Sequence, residues 1–296
     1  MAISVLDELK RLYPTAKVTT LRDYGRSGRV FVNGAQFKRL GDPLPAGATV
    51  EVRPETKPAA SEIIAEELNW GVEIVSENDD FVVVNKPPGL LTSTNDRERR
   101  PTLLAWLQVR YADRNPPVRL GVIHRLDKEA SGLLVFSKNQ PTFEHLKSEL
   151  FHRKMKRQYL AAAQGQVAPA EGTVDSWLVE HADGRVHICR KGSPKGDSAI
   201  THYRTIDFSK ERVQSLLEIT LETGRKHQIR AHLASIGHPI VGDVMYGATM
   251  GVSKRRGAVP WLRLFAYKLE FVERKSGREL KFQLPTPNAF WHTSEQ

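Results

Sequence analysis

The stretch GVIHRLDKEASGLLVFSKN, residues 121–139, joins a short polar segment to an apolar run. Arg125 stands two residues before Asp127, and Leu133 to Phe136 has the composition of a buried strand. A carboxylate held at the start of a strand by a neighbouring cation is a candidate reactive group. The alternative is a local Arg–Asp ion pair at the surface. These residues alone favour that alternative, because surface ion pairs are common.

The overall charge points to a polyanionic partner. Lys and Arg total 44 against 34 Asp and Glu, which gives a formal net charge of +10 in a chain of 296 residues. Nucleic acid is the commonest partner of such a chain. The alternative is a solvated basic surface that has no cognate partner.

The cysteine count and the hydropathy pattern argue against disulfide-bonded, cysteine-ligated zinc and membrane-spanning classes of protein. Cys189 is the single cysteine, so the sequence predicts neither an internal disulfide nor a zinc site built from cysteines. No apolar run approaches the ~18 residues that a membrane span requires, and the first residues lack the apolar core of a signal peptide. We therefore expect a soluble, cytoplasmic protein without a membrane segment.

The first part of the chain predicts a small module, residues 1–53. Ser4 and Asp7 form a capping-box pattern before a first helix, and residues 19–26 predict a second. The sequence GRVFVNG at residues 28–34 predicts a strand that ends in an Asn-Gly turn. This order resembles the S4-like RNA-binding module. The alternative is an ordinary α+β cap.

A linker and a larger domain follow. Residues 54–71 predict the linker, since residues 54–60 are rich in Pro and Ala and lack periodicity. Residues 72–296 contain more strand signals than helix signals, in mixed order, without the strict alternation of a Rossmann fold. This pattern predicts an α+β domain with a mixed, mostly antiparallel sheet flanked by helices and loops.

Common cofactor motifs are absent from the sequence. It contains no phosphate-binding loop, no dinucleotide fingerprint and no HExxH metal motif. His227, His232 and His238 are spaced by five and six residues, whereas two ligands on one helix face need a spacing of three or four. We therefore expect an enzyme without cofactor or metal, working through carboxylate, phenol and guanidinium groups.

Further polar segments extend the pattern beyond residues 121–139. They combine fixed cations, a strand tyrosine and a glycine-containing basic loop, and they occur in a set order along the chain. The segments are NKPPG at residues 85–89, HRLD at 124–127, RQY at 157–159 and TGRKHQIRAH at 223–232. In this order and at this spacing they resemble the RluA-type pseudouridine synthase family, over about residues 79–287.

The resemblance implies a catalytic set. Asp127 would be the catalytic carboxylate, Tyr159 the phenol that stacks on the uracil, and Arg230 the arginine that pairs with Asp127. Arg125 would enter the RNA stack where the target base leaves, since a planar guanidinium can stack on bases and contact phosphates. The fold implied is the pseudouridine synthase fold.

Other residues are expected to contact the RNA. Lys86 is interpreted as a fixed surface cation beside a rigid Pro-Pro-Gly turn, and Leu269 would pack on the base. The full set of expected substrate contacts is Arg125, His124, Lys86, Arg225, His227 and Leu269. The sequence departs from the family pattern at Ala130, Lys226 and Phe265, and these departures bear on which RNA is bound.

The function implied is the isomerisation of specific uridines to pseudouridine in structured RNA. Large-subunit ribosomal RNA is the first substrate expected and transfer RNA the second, with the protein acting as a monomer. The main alternative is a non-catalytic RNA-binding or ribosome-assembly protein on a decayed synthase fold. A DNA-binding regulator ranks lower, because the sequence has no clear helix-turn-helix.

Overall fold

The computed structural model describes residues 3–14, 16, 18–26, 28–37, 39–53, 70–94, 101–247, 262–287 and 290. The chain divides into two compact units, residues 1–63 and 64–296. Residues 54–69 of the predicted linker lie outside the described residues, so the boundaries of the predicted module, linker and large domain stay predictions. None of the described helices combines the length and apolar character that a membrane crossing requires.

The described residues of the first unit form two helices and a small sheet. Its elements are α1 (Val5–Leu12), α2 (Val18–Arg26), β1 (Val30–Val32), β2 (Ala35–Gln36) and β3 (Val50–Val52). Ser4 caps α1 by accepting a hydrogen bond from the backbone N–H of Asp7 at 3.2 Å, as the capping-box pattern predicts. Asn33 and Gly34 both have left-handed backbones, which closes the predicted turn and pairs β1 with β2.

The second unit carries most of the regular structure. Its strands are β4 (Glu73–Glu77), β5 (Phe81–Lys86), β6 (Gly121–Val122), β7 (Ser131–Ser137), β8 (Lys156–Gln164), β9 (Glu171–Glu180), β10 (Val186–Cys189), β11 (Asp197–Ser209), β12 (Gln214–Leu221), β13 (Leu264–Val272) and β14 (Glu279–Gln283). Its helices in the described ranges are α3 (Leu103–Arg110), α4 (Gln140–Phe151) and α5 (Gln228–Ser235), with a short 3₁₀ turn at Val244–Tyr246.

These strands form one 11-stranded sheet in the order β10-β9-β11-β12-β8-β13-β7-β5-β4, with β14 beside β13 and β6 beside β7. The pairing of β13 with β7 is parallel, and the other pairings in the described sheet are antiparallel. The predicted α+β class with a mixed, mostly antiparallel sheet is confirmed.

Side-chain alternation along the central strands builds a core on each face of this sheet. In β8, Tyr159 and Ala161 join one cluster, whereas Leu160 and Ala162 join the other. Helices α3 and α5 cover the first cluster, and α4 covers the second. The strands therefore read as continuous apolar runs, because both faces are buried.

Gly132 makes the junction between β7 and β13 possible. Its backbone is left-handed at φ 111°, and a Cβ there would lie 2.2 Å from the carbonyl oxygen of Ala266. Only glycine tolerates both conditions. This close approach joins the central strands immediately after the segment that contains Asp127.

Candidate active site

A cavity of about 1190 Å³ opens in the second unit and collects most of the residues predicted from the sequence. Its lining brings together segments from β8, α5, the loop before α5 and the loop before β7. The predicted residues among them are His124, Arg125, Asp127, Tyr159, Arg225, His227 and Arg230. Residues more than a hundred positions apart thus face one space.

Two polar side chains hold the loop that carries Asp127. The Thr92 hydroxyl accepts a hydrogen bond from the N–H of Leu126 at 3.1 Å and donates one to the carbonyl of Leu126 at 3.0 Å. On the other side of Asp127, the Lys86 ammonium donates to the carbonyl of Lys128 at 3.1 Å. Lys86 of the NKPPG segment and Thr92, which follows that segment, therefore fix the backbone on both sides of the carboxylate.

Lys86 itself is fully buried, so the prediction of a surface cation is wrong. Its Nζ also donates to the carbonyls of Pro87 at 2.9 Å and Leu90 at 2.8 Å. Three carbonyl acceptors match the three donors of an ammonium. Burial lowers the pKa of Lys86 to about 7, and the negative charge of Asp127 opposes that shift. Lys86 anchors the Asp127 loop from behind the cavity wall.

Arg230 connects two carboxylates. Its Nε and Nη2 donate to the two oxygens of Asp243 at 2.7 and 2.8 Å, and its Nη1 donates to Asp127 at 3.4 Å. Asp243 is fully buried, whereas the Asp127 side chain keeps 20% exposure toward the cavity. Burial disfavours the charge on Arg230, but the pairs with Asp243 and Asp127 outweigh it and raise the pKa of Arg230.

The described ion pairs join Asp127 to Arg230 and not to Arg125, its neighbour in sequence. Arg125 is exposed on the cavity rim. The Asp127 carboxylate is thus held by a buried cation from α5, while Arg125 is directed to solvent. The local ion pair weighed from residues 124–127 alone does not form.

The loop before α5 is ordered by one glutamine. The Gln228 side chain accepts hydrogen bonds from the Thr223 hydroxyl at 2.8 Å and the Arg225 N–H at 3.0 Å, and it donates to the carbonyl of Ile200 at 2.9 Å. His227 takes a left-handed backbone at φ 51°, and its Nδ1 lies 3.0 Å from the Tyr246 hydroxyl. The helix α5 therefore starts at a defined point and presents Arg230 to Asp127.

Tyr159 and His124 are uncharged groups in the cavity wall. Burial raises the pKa of Tyr159, so it stays a phenol. Burial, together with the charges of Arg157 and Lys147, lowers the pKa of His124 to about 3, so its imidazole stays neutral. Neither ring nitrogen of His124 has a hydrogen-bond partner in the described chain.

Known proteins resemble this chain over most of its length. Residues 80–235 match the family model described as RNA pseudouridylate synthase. The chain is 35% identical over 243 residues to the ribosomal large subunit pseudouridine synthase D of Haemophilus ducreyi, which covers 81% of this chain and 71% of that protein. The protein of that name from Escherichia coli O6:H1 is 33% identical over 291 residues, and the match covers 94% of this chain and 86% of that protein.

The chain belongs to the RNA pseudouridylate synthase family. It is accordingly an isomerase that converts uridine to pseudouridine in RNA, and RNA is its partner. The predicted family resemblance is confirmed, and the non-catalytic alternative is not favoured.

Solved structures show the same fold. The human RNA pseudouridylate synthase domain containing 1 matches with a TM-score of 0.57 and 26% identity, covering 73% of this chain and 84% of its own. The human RNA pseudouridylate synthase domain containing 4 matches with a TM-score of 0.59 and 22% identity, covering 79% and 94%, and this likeness concerns the fold alone.

Two residues predicted for the synthase site lie elsewhere. Lys86 is behind the cavity wall, as described above. Leu269 is buried in the second core with Phe265 and Phe271. From the same part of the chain, Leu262 and Leu264 line the cavity instead. The difference follows from strand alternation, which sends neighbouring β13 side chains to different cores.

Asp243, which lines the cavity and pairs with Arg230, is the main site residue that sequence reasoning missed. The signal was present, because Gly242-Asp243 follows the histidine-containing segment that resembles the family. Its partner could not be read from spacing, since Arg230 lies on the preceding helix. The histidines nearby have structural partners: the two ring nitrogens of His232 lie 2.8 and 2.9 Å from the hydroxyls of Thr201 and Ser176. No metal-binding cluster occurs within the described ranges.

Proposed function

We propose that this synthase modifies uridine in large-subunit ribosomal RNA, with Asp127 as its catalytic carboxylate. The observation that carries the role of Asp127 is its placement in the cavity, joined through Arg230 to the buried Asp243. The names of the relatives from Haemophilus ducreyi and Escherichia coli support ribosomal RNA as the substrate. The net charge of +10 suits any such polyanion.

The isomerisation needs no oxidant and no energy input. The bond from ribose C1′ to N1 of uracil breaks, the base rotates, and a bond forms from C1′ to C5. The proton on C5 leaves, and N1 ends with a proton. Two routes use Asp127: attack on C1′ as a nucleophile, or removal of a ribose proton to form a glycal. The partly exposed carboxylate is accessible to either reaction.

We assign the other catalytic roles to Tyr159 and Arg230. Arg230 orients Asp127, because its Nη1 donates to that carboxylate while its Nε and Nη2 are fixed by the buried Asp243. The buried Tyr159 ring offers an apolar face against which uracil can stack, and its raised pKa keeps the phenol protonated.

Base flipping is the step we assign to Arg125. The target atoms are inaccessible in a stacked helix, so the uridine must leave the stack at a cost of a few kcal/mol. Arg125 is exposed on the cavity rim, where its guanidinium can fill the gap left by the base. Arg225 and His227, which also line the cavity, are proposed as further RNA contacts.

The first unit is proposed as an S4-like RNA-binding module. Its support is the pair of helices followed by a three-stranded sheet with the GRVFVNG strand and turn. A module of this kind favours structured RNA and thus ribosomal RNA over transfer RNA. A monomeric state and a cytoplasmic location stay predictions.

Replacement of the catalytic carboxylate tests the role of Asp127. We expect Asp127→Asn to bind RNA as the unmodified protein does and to lose isomerisation by at least about 10³-fold. The measurement is tritium release from RNA labelled at uridine C5, beside RNA binding. Asp113→Asn, at an exposed position outside the cavity, is the matched control. Retained tritium release in Asp127→Asn would overturn the assignment.

The substrate is tested by mapping pseudouridines in total RNA from cells with and without this gene. We expect signals to disappear from large-subunit ribosomal RNA in the cells that lack it. Their disappearance from transfer RNA alone would contradict the proposed substrate, and an unchanged map would favour the non-catalytic alternative.

A further inference from the structure

Two polar side chains of the cavity wall are more than nine-tenths buried, and each carries nitrogen without a hydrogen-bond partner among the described residues. Arg157, on β8, is 8% exposed, and His124 is 7% exposed. The Nε of Arg157 and both ring nitrogens of His124 have no hydrogen-bond partner in the described structure. Buried polar groups in folded proteins are nearly always hydrogen-bonded, so these exceptions require an explanation.

Within the part of the chain that the structure describes, the guanidinium of Arg157 has no counter-charge. Among the described residues, no carboxylate lies within ion-pair distance of it, although Arg230 in the same cavity contacts two. An arginine cannot lose its charge inside a protein. A buried charge is unfavourable unless it is paired. An incoming anion would therefore stabilise the guanidinium of Arg157.

His124 extends the same region. Because its imidazole stays neutral, it adds no third charge next to Arg157 and Lys147, and it offers one N–H donor and one acceptor. Lys147 lines the cavity as well, and its Nζ donates to the carbonyl of Ile123 at 3.2 Å. The region therefore combines positive potential with an unused donor.

Gly224 leaves space for this guanidinium. A Cβ at Gly224 would lie 2.7 Å from Nη1 of Arg157 and 3.4 Å from Nη2. Its backbone lies outside the left-handed region that favours glycine. A side chain at this position would thus collide with the guanidinium without straining the backbone, and glycine lets the charged group remain in the wall.

We propose that Arg157 and His124 form an anion subsite that takes a phosphate of the RNA backbone next to the flipped uridine. The planar guanidinium can bind two phosphate oxygens, and the neutral imidazole can donate to a third. This inference rests on the proposed function in one respect, namely that the anion belongs to substrate RNA. The subsite is distinct from the paired Asp127, Arg230 and Asp243.

The first experiment uses inorganic phosphate as the probe and the full chain as the protein. The ring ¹⁵N signals of His124 are followed by NMR while phosphate is added at constant ionic strength. We expect a saturable shift in the unmodified protein, its loss in Arg157→Gln and its partial retention in Arg157→Lys. No saturable shift, or an equal shift in Arg157→Gln, would overturn the subsite. A shift that is linear with concentration would show an adventitious ion only and would also overturn it.

The second experiment measures single-turnover tritium release from the RNA of cells that lack the gene, over a range of salt concentrations. We expect Arg157→Gln to raise the half-saturating protein concentration about tenfold and to reduce the slope of log affinity against log salt by about 1. Arg278→Gln, exposed in the hairpin between β13 and β14, is the control. A lowered maximal rate with an unchanged salt slope would contradict phosphate binding.

Gly224→Ala provides a variant that keeps the charge. We expect it to weaken phosphate binding, because the added methyl group displaces the guanidinium. The midpoint of its unfolding transition shows whether this variant folds. Phosphate binding at full strength in this variant would contradict the proposed geometry. The phosphate titration requires no turnover, so its outcome is distinguishable from a failure of the proposed uridine isomerisation.

Discussion

The cavity has two walls, and they differ in whether their polar side chains are paired with other groups of the protein. In the paired wall, formed by Arg230, Asp243 and His227, the guanidinium contacts two carboxylates and the imidazole contacts the hydroxyl of Tyr246 behind it. In the unpaired wall, formed by Arg157 and His124, buried nitrogens lack partners in the described chain. The paired wall fixes the position of Asp127, whereas the unpaired wall keeps its interactions for a ligand.

Removal of Asp243 should have the largest effect, because it turns the paired wall into an unpaired one. We expect Asp243→Ala to lower the free energy of unfolding by about 3–5 kcal/mol, since the buried Arg230 loses its bidentate partner. Tritium release should fall at least about 100-fold, because the arginine no longer orients Asp127. Denaturant unfolding and single-turnover kinetics measure both.

Asp197→Ala is the control for that experiment, since Asp197 forms an exposed ion pair with Arg225 at 3.6 Å. It should change the free energy of unfolding by less than about 1 kcal/mol. If the two aspartate variants were equally stable, the contrast between buried and exposed pairing would be lost.

Lys86→Met tests whether a buried cation that is paired with carbonyls stabilises the fold as much as one that is paired with carboxylates. We expect a loss of about 3 kcal/mol in the free energy of unfolding, because three carbonyls lose the donor that the buried ammonium supplies. The Asp127 loop should exchange its amide hydrogens faster. Lys210→Met, at an exposed position, serves as the reference variant in chemical denaturation. Equal stability of both variants would show that Lys86 does not anchor the loop.

A pH series extends the comparison to a histidine that has partners. Burial lowers the pKa of His232 from 6.5 to about 4. Between these values the unfolded chain binds more protons than the folded one, so stability falls as pH falls from 6.5 to 4. The expected loss from His232 is at most about 3 kcal/mol.

His232→Gln should flatten that dependence, as measured by unfolding midpoints across the pH range. His181→Gln, at an exposed position, should leave it unchanged. An unaltered pH slope in His232→Gln would show that His232 does not carry the effect.

The smallest effect, and one of opposite sign, is expected in the unpaired wall. Arg157→Met removes an unpaired buried charge and keeps an apolar side chain of similar length. We expect a gain of about 1 kcal/mol in the free energy of unfolding, together with weaker RNA binding. Thermal unfolding and RNA titration test this pair of changes. A loss of stability would mean that Arg157 has an internal structural role and that the two walls do not differ as described.

Local patterns in the chain were sufficient for much of the fold. The helix after Ser4, the Asn-Gly turn and the strand at residues 133–136 all follow from short-range capping, turn chemistry and hydrophobicity, which act within a few residues. The order of the polar segments was sufficient to predict the family. The positions of Lys86 and Leu269 were harder to predict, because the burial of a side chain and the sheet face that it occupies depend on neighbours that are distant in sequence.

By itself, the sequence determined which chemical groups are available: a carboxylate in HRLD, a strand tyrosine, and arginines in a glycine-containing loop, with no common cofactor motif beside them. Only the tertiary structure decided which of these groups are paired. Asp127 is joined to Arg230, 103 positions away, and not to Arg125. The Nε of the buried Arg157 has no hydrogen-bond partner in the described chain. The physical reason is that charge pairing depends on distance and burial in three dimensions, which residue spacing along a strand or loop does not encode.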